Sequence, residues 1–222
     1  MTDSSALLTT RTVRYTFLAM MWIALSGCSS FNQQPSDNTT HGEIYTALYS
    51  YPVNDQEYSP FKQVRAHFIV KKPPTLVFRV LSDLQLTPSW FSYLRTLDTL
   101  EIYSPRSFLT RATLESPWPF LPRDLISCVT THFAEQQITI KLKDCYDKYP
   151  LQERSLRITA SDSQWIITKL GEDTRIEYQA WTDPGGNVPA FVYNSLLIDT
   201  TQETLNKLKQ IINARSLSDY SY

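Results

Sequence analysis

Thr174-Arg-Ile-Glu-Tyr-Gln-Ala-Trp-Thr-Asp-Pro-Gly-Gly-Asn-Val-Pro-Ala190 joins a strand to a helix through a tight turn, and this junction decides the fold. Before the turn, Ile176, Tyr178 and Ala180 alternate with Arg175, Glu177 and Gln179, the period of a strand with one face turned inward. Asp183-Pro-Gly-Gly reverses the chain with residues that permit tight backbone angles. Asn187 is placed to cap the helix that follows, with Pro189 in its first turn. Leu197, Thr201, Leu205, Leu208 and Ile212 recur at helical spacing and form its buried stripe. Its first half, with Phe191, Val192, Tyr193, Leu196, Leu197 and Ile198, is apolar on more than one side. Two readings fit that half. Either the helix start is deeply buried, or one face packs on a sheet while another lines a cavity.

Upstream, Ser163 to Leu170 pairs with Thr174 to Thr182 as a hairpin turned at Gly171-Glu-Asp. Val64, Ala66, Phe68 and Val70 alternate with Gln63, Arg65 and His67, giving a half-buried strand. Lys71-Lys72-Pro73-Pro74 ends it and opens a helix whose stripe is Leu76, Val77, Val80, Leu81 and Leu84. Ser89-Trp90-Phe91 reads as a short helix or turn. Phe108, Thr110, Ala112 and Leu114 oppose Arg111 and Glu115. Leu125, Ser127, Val129 and Phe133 oppose Ile126, Cys128, Thr130 and His132. The order is strand, helix, several antiparallel strands, then one long helix, an α+β arrangement. A curved antiparallel sheet must bury its concave face, and the terminal helix is the only element long enough to cover it. The domain is expected over residues 42–214, with 215–222 as a frayed tail.

The 222 residues are 42% hydrophobic and 19% charged, enough for one domain with a sizeable core. A formal net charge of −1 provides no basic face to displace counterions, which excludes nucleic acid as partner. Residues 1–27 read as a signal peptide: Arg11 and Arg14 precede the apolar run from Tyr15 to Ala24, too short to span a bilayer comfortably. Leu25-Ser26-Gly27-Cys28 follows at once and resembles the lipobox of bacterial lipoproteins. That resemblance implies acylation of Cys28, which becomes the new N-terminus and anchors the chain to a membrane. Ser29, where retained inner-membrane lipoproteins carry Asp, implies the outer membrane. Residues 28–41 are polar and read as a flexible tether, so the domain is expected in the bacterial envelope, facing the periplasm.

With Cys28 lipidated, Cys128 and Cys145 remain, and an even pair in an oxidising compartment invites a disulfide. Two free thiols are the alternative. A hairpin turned at Gln136-Gln137 sets the two opposite each other on the outer face, and a turn shifted by one residue sets them diagonally. His41, His67 and His132 have no metal-ligand spacing, and the five glycines form neither a phosphate loop nor a nucleophile elbow. No inward acid–base pair is visible. The expectation is a binding module without enzyme activity, cofactor or metal.

Two stretches carry a family resemblance: Ser116-Pro-Trp-Pro-Phe-Leu-Pro-Arg-Asp124, and Trp181 to Ala190 with the helix after it, through Ile198-Asp-Thr-Thr-Gln-Glu-Thr-Leu-Asn-Lys-Leu208. Over about Ile44 to Ile212 the chain resembles the START domains, the lipid-transfer branch of the helix-grip proteins. The resemblance implies a helix-grip fold that holds one apolar molecule between sheet and terminal helix. Trp118 and Phe120, on the proline-rich loop, would border the mouth beside Phe191 and Leu197. A cavity of roughly 300 Å³ or more is expected there, lined also by Phe108, Ala112, Val129 and Tyr178. Cholesterol-binding animal members carry a buried Arg where Val129 stands, which favours a phospholipid or fatty acyl ligand over a sterol. The protein is expected to be a monomer. A polyketide-cyclase-type enzyme on the same fold and an envelope interaction protein with a collapsed cavity are the alternatives.

Overall fold

Alternating side chains build most of this molecule, and in the computed structural model they align across a single sheet. The structure describes residues 42–116 and 120–220. Its elements are β1 (Tyr45–Tyr49), β2 (Gln63–Val70), α1 (Pro74–Ser82), β3 (Leu94–Ser104), β4 (Ser107–Leu114) and β5 (Arg123–Phe133). After these come β6 (Gln137–Asp144), β7 (Leu156–Arg157), β8 (Ala160–Leu170), β9 (Asp173–Asp183) and α2 (Ala190–Ala214). The strand order is β1-β2-β9-β8-β6-β5-β4-β3, antiparallel throughout, with the short β7 alone running parallel to β5. This sheet with its long C-terminal helix is the helix-grip arrangement.

Register decides what shares the inner face. Phe108, Val129, Leu142, Ser163, Ala180 and Val64 lie in one row across the sheet. Thr131, Ile140, Trp165, Tyr178 and Ala66 form the next, then Phe133, Ile138, Ile167, Ile176 and Phe68. In the other direction lie Thr110, Ser127 and Asp144, then Leu97, Ala112 and Leu125. Because side chains alternate, one register slip would turn all of these outward.

The helices close one end of this face. Leu76, Val77, Val80 and Leu81 of α1 and Leu205, Leu208 and Ile212 of α2 are buried in one cluster with Val64, Phe68, Trp165 and Ile176. Helix α2 runs along β2: Asn194 near its start accepts from the Lys62 N–H at 2.8 Å, and Lys72 donates to the Arg215 carbonyl beyond its end at 2.8 Å. No residue from 190 to 200 is fully buried, so the deeply buried start is not what the fold adopts. Asn187 is not the cap either. The Val192 and Tyr193 amides bond the Pro189 carbonyl, which starts the helix later, and no side chain caps it. Within the tail, Leu217–Tyr220 forms a 3-10 turn and Tyr220 packs against the core, while 221–222 lie outside the described residues.

Two strands escape a period-two reading for visible reasons. β3 places Leu94, Leu97 and Leu100 three apart because register shifts interrupt its pairing with β4. β1 is an edge strand, mostly half-exposed, so its two faces do not differ in polarity. The outer face also departs from simple alternation. Ile126 and Leu109 point away from α2 yet are 0% exposed, because the segment from Cys145 to Ile158 folds over them.

Candidate functional site

The strands that α1 and α2 approach closely are β1, β2, β8 and β9. Across from them the inner side chains of β4, β5 and β6 are less well covered. Phe108, Leu125 and Leu142 are half-buried, as are Ser163, Ala180 and Leu197. Val129, at 4% exposure, and Ala112, at 9%, are buried between them. Apolar side chains directed into a concave sheet and left partly accessible are the lining expected of a ligand site.

Tyrosine and tryptophan supply the polar atoms at this face. Tyr178 is buried against Trp165 with ring centroids 4.3 Å apart, and burial pushes its hydroxyl well above the usual tyrosine range. Tyr193 of α2 stands near it and has its pKa pushed up to about 12, chiefly by burial. Both hydroxyls are therefore protonated donors across the physiological range. Trp90, 2% exposed, packs edge-on to Trp165 with centroids 6.0 Å apart, and its indole N–H has no hydrogen-bond partner.

Arg123 organises the border of this region. Its guanidinium donates to the carbonyls of Pro184 at 3.0 Å, Gly185 at 3.3 Å and Leu121 at 2.6 Å, and to Ser116 Oγ at 3.1 Å. One side chain thus ties the proline-rich loop to the turn before α2. Burial lowers its pKa. The turn needs its glycines: Gly185 and Gly186 have φ of +65° and +67°, and a Cβ on Gly186 would lie 3.0 Å from Leu156 Cδ2. Phe120 is half-buried, with the Arg123 guanidinium 5.8 Å from its ring centre. The sequence marks Arg123 only as part of a motif. Two of its partners, Pro184 and Gly185, are 61 and 62 residues away, and no local signal reveals them.

Asp124 points the opposite way. Fully buried, it receives Arg157 Nη2 at 2.6 Å and lies 3.3 Å from Arg111 Nε. Arg157 also donates to the carbonyls of Tyr146, Tyr149 and Pro150, which fastens the covering segment to the outer face. Cys128 and Cys145 form a disulfide there with Cα atoms 5.7 Å apart. The two are diagonal, because Cys128 pairs with Lys143 while the Cys145 amide bonds the Ile126 carbonyl. This cluster is structural. It lies on the face away from α2.

Of the residues expected at the site, the fold brings Phe108, Ala112, Val129 and Tyr178 onto the inner face, with Leu197 facing the core from α2. Phe191 corrects the expectation. It is 76% exposed at the start of α2, so it does not join the inward set. Trp118 and Cys28 lie outside the described residues, as do the signal peptide and tether at 1–27 and 28–41. Among the described residues the histidines lie elsewhere: His132 is exposed and His67 stacks on Tyr45 at the outer face. Among the described residues no group of acidic, His or Cys side chains could hold a metal. A cleft of about 410 Å³ does open on the outer face, lined by polar side chains including Gln63, Lys141, Lys143, Asp162 and Gln179. Its polarity suits no apolar ligand.

Comparison with known proteins gives a consistent placement. The START domain family model matches residues 34–216. An uncharacterized protein of Pseudomonas aeruginosa is 24% identical over 159 residues, covering 71% of this chain and 78% of its own. Among solved structures, a STAR-related lipid transfer protein from Xanthomonas axonopodis is similar with a TM-score of 0.66 and 23% identity, over 76% of this chain and 93% of that one. Human StAR-related lipid transfer protein 5 also has a TM-score of 0.66, at 14% identity, over 79% and 85% of the two chains.

Proposed function

Because the chain belongs to the START domain family, we propose that it binds an apolar lipid with acyl chains between the inner face of the sheet and the first half of α2, tethered to a bacterial membrane through acylated Cys28. One observation carries the lipid reading: Phe108, Leu125, Leu142 and Leu197 face inward but are only half-buried, while the same face is solidly packed beneath the second half of α2. Leaving such surface accessible without an occupant forgoes roughly 25 cal/mol per Å². The names of the structural relatives point the same way. Binding is preferred to catalysis because the ionisable groups described at this face are two tyrosines kept protonated by burial, and Asp144, whose Oδ2 accepts the Ser161 N–H at 3.1 Å.

Anchoring rests on the lipobox behind an apolar run. No described helix is long and apolar enough to cross a membrane, and acyl chains on Cys28 supply stable attachment. Ser29 after the cysteine supports the outer membrane.

The test is a periplasmic Cys28→Ser protein analysed by native mass spectrometry for co-purifying lipid. Lipid adducts on this protein, absent from a folded Ala112→Trp variant, are the expected result. Ala112 pairs with half-buried Leu125, so on this reading the added ring fills ligand space and spares the overpacking cost. No adduct on either protein, with Ala112→Trp unfolded, would mean a filled interior and would overturn the reading. Acyl labelling that persists in Cys28→Ser would overturn the anchor.

A further inference from the structure

The inner rows from the Ala112–Leu125 pair to the row containing Phe68 hold no Lys, Arg or His. The residues that α2 buries are also uncharged: Thr201, Thr204, Leu205, Leu208 and Ile212, while Asp199, Glu203 and Lys207 are exposed. The buried cation nearest the mouth is Arg123, and its hydrogen bonds to Ser116, Leu121, Pro184 and Gly185 already occupy it. Asp144, on the row of Thr110 and Ser127, would repel any further anion. What the face offers is neutral: the hydroxyls of Tyr178 and Tyr193, small Ser and Thr side chains, and the unpartnered indole N–H of Trp90.

We infer that the buried part of the ligand is uncharged, an ester- or hydroxyl-bearing lipid of the diacylglycerol kind. A free carboxylate or a phosphate head is excluded from the interior. An ionised group taken into this face would lose its water and meet no buried cation, since Arg106, over the exposed Phe133 ring at 5.1 Å, stands at its solvent edge, whereas an ester or hydroxyl oxygen meets donors. The orphan Trp90 N–H supports this independently, since a buried donor without a partner calls for an acceptor. The inference rests on the lipid-binding reading above and narrows its ligand.

The experiment uses delipidated Cys28→Ser protein with dioleoylglycerol and oleic acid as competing probes, read by native mass spectrometry. At about pH 8 dioleoylglycerol is expected to load at least about tenfold better than oleate. Oleic acid loading should rise as the pH is lowered and its carboxyl takes up a proton, with Asp144, Tyr178 and Tyr193 the titratable groups facing it. Leu142→Lys, which places a cation on the half-buried part of the face, should shift the preference toward oleate. Equal or better loading of oleate at about pH 8 would overturn the inference while leaving lipid binding intact. If Leu142→Lys fails to fold, the wild-type pH series decides alone. Loading of neither probe at any pH would sink the lipid reading itself, and this inference with it.

Discussion

The two halves of α2 lie along the same strand and meet different interiors. In the second half Leu205, Leu208 and Ile212 are 0% exposed, locked against α1, Phe68 and Ile176. In the first half Phe191 is 76% and Leu196 50% exposed, while Leu197 packs toward the core and Tyr193 meets Phe61 edge-on. Composition does not account for this contrast, because the first half is the more apolar of the two. The difference is in what stands opposite: α1 packs beneath one end, while at the other Phe108, Leu125 and Leu142 of β4 to β6 stay partly accessible. One helix thereby serves as both the keel of the core and the roof of the proposed site.

Truncation at the two halves should break or sharpen that contrast. Leu208→Ala is expected to cost about 2–5 kcal/mol in urea unfolding, the range for a fully buried leucine. Leu197→Ala, half-buried, should cost roughly 1 kcal/mol or less and instead reduce lipid retention. Equal losses at the two positions would show that the first half is packed as tightly as the second. An effect smaller than that of Leu208→Ala is expected from Arg123→Ala, which frees both the proline-rich loop and the turn before α2. A loss of about 2 kcal/mol, with faster amide exchange over residues 183–186, is the predicted outcome. Unchanged exchange there would mean that Arg123 does not hold the mouth together.

Tyr193 gives an effect confined to alkaline pH, and its sign follows from burial. Its pKa in the fold is about 12, above the ordinary value of 10.0. Below about pH 10 both folded and unfolded states keep the proton, and the stability is fully present. Between about pH 10 and 12 the unfolded chain ionises while the fold does not, so stability falls by about 1.4 kcal/mol per pH unit. Tyr193→Phe should remove one tyrosine's share of that slope. An undiminished slope would place Tyr193 in water and open the first half of α2 further than described.

Much of this architecture was legible because alternation is a local signal. The inward sets of β2 and β9 could be read residue by residue, as could the buried stripe of α2 from Thr201 to Ile212. The hairpin at Gly171 and the Asp183-Pro-Gly-Gly turn announced themselves through residues that tolerate left-handed backbone. β3 did not, since its bulges spread the leucines to a spacing that belongs to neither strand nor helix. At the candidate site, alternation placed Phe108, Ala112, Val129 and Tyr178 on one face, but it could not foresee that Phe191 would turn to solvent.

By itself, then, the sequence determined which side of each regular strand is apolar, where the long helix lies and which turn precedes it. Tertiary structure alone decided what covers those apolar sides. Ile126 reads as an outward residue, yet it is buried because Arg157, thirty-odd positions later, clamps a loop over it. Cys128 meets Cys145 only in the register that the turn at Ala134–Gln137 sets. Arg123 becomes the tie at the mouth because Gly185, 62 residues on, returns beside it. Periodicity reports that a face is shielded from water. The shield itself is built from contacts between distant parts of the chain, and only the folded chain brings them together.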